Sequence, residues 1–141
     1  MAVGTHAGST WNTTAGDKAV TDVPVVNELI VVIHGMSGWA SGDNSLITDN
    51  NADGLGTYSR LGTATAPLST MGGTNGALWF SVRNALIGSA TSTIFTAANT
   101  GDTGGGLTVL AFSGMTRTGL QAILQSVGES TQTENPPTIT F

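Results

Sequence analysis

The sequence predicts an all-β protein, a single β-sandwich or jelly-roll-like domain with extended N- and C-terminal arms. Three observations carry this. Apolar residues fall in short blocks rich in β-branched and aromatic types, such as "LIVVI" (29–33), "ALWFSV" (77–82) and "LTVLAF" (107–112). Turn-forming Gly, Asn, Asp and Ser separate the blocks. Helical spacing occurs in one segment only, near the C-terminus. A chain of 141 residues suffices for one core without disulfides or metal, and it contains no cysteine.

The elements follow in order. Residues 1–19 are rich in Gly, Ser and Thr, with Trp11 as the one large aromatic, and read as an N-terminal arm. Residues 20–115 form the sandwich core. "AVTDVPVVNELIVVIHGM" holds one or two strands, with Pro24 marking an edge or a break because it cannot donate to a ladder. Leu29 to Ile33 is unbroken rather than alternating, which fits a strand covered on both faces. "SGWASGD" is a loop, "SLIT" a strand, "DNNADGLG" a turn and "TYSRLGTAT" a strand. "PLSTMGGTNG" reads as a loop. In "ALWFSVRNALI" Leu78, Phe80 and Val82 share one face; Trp79, Ser81 and Arg83 share the other. "STIFTA" and "GLTVLAFSG" are strands joined by "ANTGDTGGG". Residues 116–141 form a C-terminal segment and arm: "TGLQAILQSVGES" is a short helix or an extended stretch, and "NPPTITF" an arm or edge strand. The expected core is Leu29 to Ile33, Leu78, Phe80, Val82, Val109 and Phe112.

Charge narrows the function. Only 9% of residues are Asp, Glu, Lys or Arg, against about 25% in typical domains. Four basic residues and a net charge of −5 argue against nucleic acid, which needs clustered Lys and Arg. The longest apolar run, Leu29 to Ile33, is far below the ~20 residues of a membrane helix. "MAVGTHAGST" carries no signal-peptide pattern. A surface of Thr, Ser, Gly and Asn suits a protein packed in an assembly.

The strand running into His34-Gly35 invites comparison with a hydrolase, but three features oppose it. "GMSGW" and "GWASG" put Ser37 and Ser41 at the wrong offset for a nucleophile elbow. Alternating helices are missing, and the chain is short for that fold. His34 and His6 are the only histidines. His34 is expected half-exposed at a strand end, with a structural hydrogen bond, and no catalytic residue is assigned. Asp49, Asn51, Asp53 and Gly54 match the first half of a calcium loop, but Arg60 stands where its bidentate Glu belongs. A turn without metal is therefore expected, and no cofactor. A sugar platform from Trp39, Trp79 and Tyr58 is disfavoured, since Trp79 lies mid-strand and reads as core. "GDTGGG" leads into no helix and is a turn.

Together "NELIVVIHGM", "SLITDNNADGLGTYSRL", "ALWFSVRNAL", "STIFTA" and "GGLTVLAFSGM" resemble β-sandwich modules of tailed-bacteriophage structural proteins, over roughly Val26 to Met115. That group includes capsid decoration (cement) proteins and tail or fibre modules. The first strand opens with Asn27-Glu28 where the group more often has Gly-Asp. The resemblance implies a non-enzymatic virion protein on the outer capsid surface, bound to the major capsid protein and trimeric, without nucleic acid or membrane partners. A tail or baseplate component and a carbohydrate-binding jelly roll are the alternatives. Trp11, Trp39, Pro136, Pro137 and Phe141 are the expected partner-binding residues, on the loop and the two arms.

Overall fold

The computed structural model describes residues 3–12, 15–37, 45–61, 69–71, 76–99 and 104–123. Nine strands occur among them: β1 (Val3–Asn12), β2 (Lys18–Asp22), β3 (Leu29–Ser37), β4 (Ser45–Asp49), β5 (Tyr58–Arg60), β6 (Ser69–Met71), β7 (Gly76–Arg83), β8 (Thr93–Asn99) and β9 (Gly104–Ser113). The larger sheet runs β1-β9-β3-β7-β5, with β6 also on β7; the smaller runs β2-β8-β4. Every pairing is antiparallel. The two sheets pack against each other as the all-β sandwich that the apolar blocks predict.

β3 lies mid-sheet, which explains its unbroken apolar run. Its inner face buries Ile30, Val32, His34 and Met36, while Val31 and Ile33 are half-buried on the outer face. The main core joins Ile30, Val32, Leu107, Val109 and Ala111 of the large sheet to Val20, Ile47, Phe95 and Ala97 of the small one. These contacts are the usual source of sandwich stability, at about 25 cal/mol per Å² of apolar surface removed from water.

Four expectations need correction. Residues 3–12 are not an arm. They form β1, which pairs with β9 from Val3↔Ser113 to Asn12↔Gly105, with a bulge between His6 and Gly8. Polar, Gly-rich composition hid a strand whose backbone supplies the pairing. Ser69–Met71, expected in a loop, pairs with Gly76–Leu78 of β7 as a short hairpin. The β7 face is largely inverted: Trp79, Ser81 and Arg83 point inward and are buried, whereas Leu78 and Phe80 are half-buried on the outer face and Val82 alone of the expected three is buried. Phe112 is likewise half-buried, lying over Gly4 across the β1–β9 pair. The C-terminal segment, left open between a short helix and an extended stretch, begins among the described residues with a 3-10 turn at Gly119–Ala122 packed on β5 and β7. Residues 124–141 lie outside the described residues.

Candidate interaction surfaces

A buried polar cluster organises one end of the sandwich. β7 ends with Arg83 on the inner face, its side chain fully buried. Its Nε donates to Asp49 Oδ2 at 2.8 Å, its Nη2 to Asp53 Oδ1 at 2.6 Å, and its Nη1 to the carbonyls of Ala85 and Leu86, each at 3.1 Å. Tyr58 OH donates to Asp49 Oδ2 at 2.7 Å. The "DNNADG" segment is the turn expected of it. Asn51 N donates to Asp49 Oδ1, Asp53 N to Asn51 Oδ1 and Leu55 N to Asp53 Oδ1, and Gly54 takes φ +69. Both carboxylates that a calcium loop would turn toward an ion are bonded to Arg83 instead. Arg60, the residue singled out from spacing, lies in β5. Sequence reasoning missed Arg83; the signal was an arginine closing an apolar strand in a chain with four basic residues.

The electrostatics follow from burial and pairing. Burial opposes the charge on Asp53, yet hydrogen bonds from Arg83 and from the N–H groups of Leu55 and Gly88 outweigh it and hold its pKa below 3.8. Burial also works against the Arg83 charge, but the two carboxylates reverse that and raise its pKa. Burial first, then the Asp49 charge, pushes the Tyr58 hydroxyl up, so it stays a donor. The cluster is a framework without solvent access at Arg83 or Asp49.

His34 is in mid-strand and fully buried, not half-exposed at a strand end. The reason is register: His34 pairs with Trp79 and Leu107 on the inner face. Its Nδ1 lies 2.7 Å from Ser45 Oγ on β4, a hydrogen bond that ties the two sheets together. Its ring stacks on Trp79 at 6.1 Å between centroids. Trp79 is core, as its mid-strand position predicts. Ser37 ends β3 and is half-buried.

Among the described residues, two of the exposed apolar surfaces stand out. The first is the 23–28 loop between β2 and β3. Val23, Val25 and Val26 are 58%, 63% and 43% exposed. The loop is nevertheless held firmly. Val25 N donates to Glu28 Oε2 at 2.8 Å, and Asn27 N to the Ile87 carbonyl while Ile87 N donates to that of Glu28. Asn27 takes φ +70, a conformation Asn tolerates well among non-Gly residues. The 84–92 loop that clamps it is itself tied to the turn through Gly88 N–Asp53 Oδ2 and Asn51 Nδ2–Ser89 O. Arg83 therefore braces a preformed end from which three valines project.

The second surface is on the outer face of the large sheet. Trp11 in β1 is 66% exposed and lies over Gly106 of β9. Trp11 is thus accessible, as expected, but it belongs to a strand of the domain's own sheet. Trp39, Pro136, Pro137 and Phe141 lie outside the described residues.

Fold and surfaces together define an antiparallel sandwich with a buried ionic brace and exposed apolar residues at one loop and on one sheet face. No family model, curated protein or solved structure matches the chain.

Proposed function

We propose that this chain is a non-enzymatic structural protein of a tailed-phage virion, a decoration protein that binds the outside of the capsid. It contacts the major capsid protein as a homotrimer and tightens the shell. The observation that carries this reading is the braced loop presenting Val23, Val25 and Val26 to solvent. Three β-branched residues held outward on a rigid loop lose little conformational entropy when they are covered, which favours a protein surface as partner. The sparse charge supports the same reading. Contacts made by apolar burial and neutral hydrogen bonds are little affected by salt, whereas charge-driven ones are screened over about 8 Å at physiological ionic strength. The resemblance across Val26 to Met115 supplies the biological setting. Attachment is assigned to the valine end rather than to an N-terminal arm, because β1 is committed to its own sheet.

The test is co-sedimentation with capsids assembled from the major capsid protein of the same genome, across a salt series. The full chain is expected to bind with little salt dependence. Val25→Ser/Val26→Ser should fold normally, both residues being exposed, yet bind at least about tenfold more weakly, equivalent to ~1.4 kcal/mol. Failure of the wild type to bind at any salt rejects the decoration role and moves a tail or baseplate role to first place. Equal binding by the variant removes the valine loop from the interface.

A further inference from the structure

The outer face of the large sheet carries a row that crosses four strands: Trp11 of β1, Gly106 of β9, Gly35 of β3 and Leu78 of β7. Each is the direct partner of the next. Two glycines side by side leave bare backbone between an indole on one side and a leucine on the other. At about 4.8 Å per strand the walls stand ~14 Å apart at their Cα atoms. The result is a groove of about 350 Å³, lined by Ser9, Thr10, Trp11, Ile33, Gly35, Leu78, Gly106 and Thr108.

The two glycines differ in what they do. A Cβ on Gly106 would lie 2.6 Å from Trp11 Cε3, so this glycine makes room for the indole against the sheet. At 66% exposure, most of the Trp11 side chain remains open to solvent. Among the described residues, a Cβ on Gly35 would meet only Leu78 Cδ1, at 3.8 Å. The packing of the described residues therefore gives no steric reason for glycine there, although glycine inside a strand costs about 0.5–1 kcal/mol. A glycine inside a strand marks a bulge, a bend, or the close approach of a ligand or another backbone, and Gly35 sits in unbroken register with both neighbouring strands.

We propose that this groove binds a neutral saccharide, with one pyranose ring stacked on Trp11 and lying over Gly35. The lining has the required chemistry. The exposed indole face is electron-rich and attracts the C–H-bearing face of a sugar ring. Ser9, Thr10 and Thr108 supply hydroxyls for the ring's rim, and Ile33 and Leu78 an apolar flank. None of the described lining residues is charged, which selects against sialylated, sulfated or phosphorylated sugars. The groove is remote from the valine loop. Trp11 pairs near the start of β9 at Gly106, whereas the 23–28 loop leads into Leu29, which pairs with Phe112. Six residues of strand separate these points, about 20 Å. A domain attached by its valine end would thus keep the groove free.

The experiment is isothermal titration calorimetry of the full chain with maltohexaose, cellohexaose and N-acetylchitohexaose as probes. At least one is expected to bind saturably. Trp11→Ala should weaken that binding at least about tenfold. Gly35→Val should abolish it while leaving the unfolding midpoint equal or higher, since it fills the groove and adds a strand-forming side chain. Thermal unfolding of each variant separates loss of the site from loss of the fold. No saturable binding by any probe overturns the proposal, as does binding that survives both substitutions. Sedimentation equilibrium covers the other occupant: self-association broken by Trp11→Ala, without glycan binding, would make the groove a contact between copies of this chain. Capsid binding does not enter any of these readouts, so the two proposals fail independently.

Discussion

Replacing Arg83 with Met tests whether the ionic cluster holds the sandwich end together. Methionine keeps most of the length and the apolar stem but removes five hydrogen bonds, to Asp49 (two), Asp53, Ala85 and Leu86. It strands two carboxylates whose side chains are 0% and 8% exposed. Removing one partner of a buried ion pair costs about 3–5 kcal/mol, mostly the penalty of an uncompensated buried charge. Against a total stability of about 5–15 kcal/mol, that brings the variant close to unfolding. The assay is urea denaturation near pH 7 and again in acid. Because the Asp53 pKa is held below 3.8 in the folded protein, its pairing stabilises above that value and is lost as pH falls through the folded pKa. The wild type should therefore lose stability in acid, and the gap to Arg83→Met should narrow below about pH 4. A companion variant, Arg83→Met with Asp49→Asn and Asp53→Asn, removes the charges as a set and should recover part of the loss. A destabilisation under about 1 kcal/mol near neutrality, or a gap that widens in acid, would refute the reasoning.

Three further outcomes are expected. Gly56→Ala should destabilise by about 1–3 kcal/mol in the same assay, because its Cβ would lie 2.6 Å from Asp49 Oδ1 and closer still to the Asp49 carbonyl oxygen. Trp79→Ala should cost about 3–5 kcal/mol, and Phe80→Ala clearly less, since Trp79 is fully buried and Phe80 is not; the reverse order in denaturant unfolding would show the β7 face misassigned. Deleting residues 1–12 should lower the melting temperature and promote aggregation, read by light scattering, because it uncovers the long β9 edge that β1 occupies; an unchanged melting temperature would mean that β1 contributes nothing to the fold.

The sequence by itself determined the fold class and most of the strands. β-branched and aromatic blocks at strand length, broken by Gly and Asn, admit little else, and "LIVVI" declared its central place by being apolar on both faces. The "DNNADG" turn was legible for the same local reason: Asx side chains bond to backbone two residues on. What failed was whatever depended on partners distant in the chain. β1 has almost no apolar signal, and pairing with β9, a hundred residues away, makes it a strand. Alternation in β7 gave two faces correctly but not which one looks inward. Trp79 and Arg83 won that choice because His34 and the Asp49–Asp53 pair wait on the inner side. Arg83 is buried only because two carboxylates from another segment neutralise it, and no local pattern records such a pairing. The groove beside Trp11 was invisible for the same reason. Gly35 and Gly106 are 71 positions apart in the sequence, and antiparallel register alone sets them side by side between an indole and a leucine.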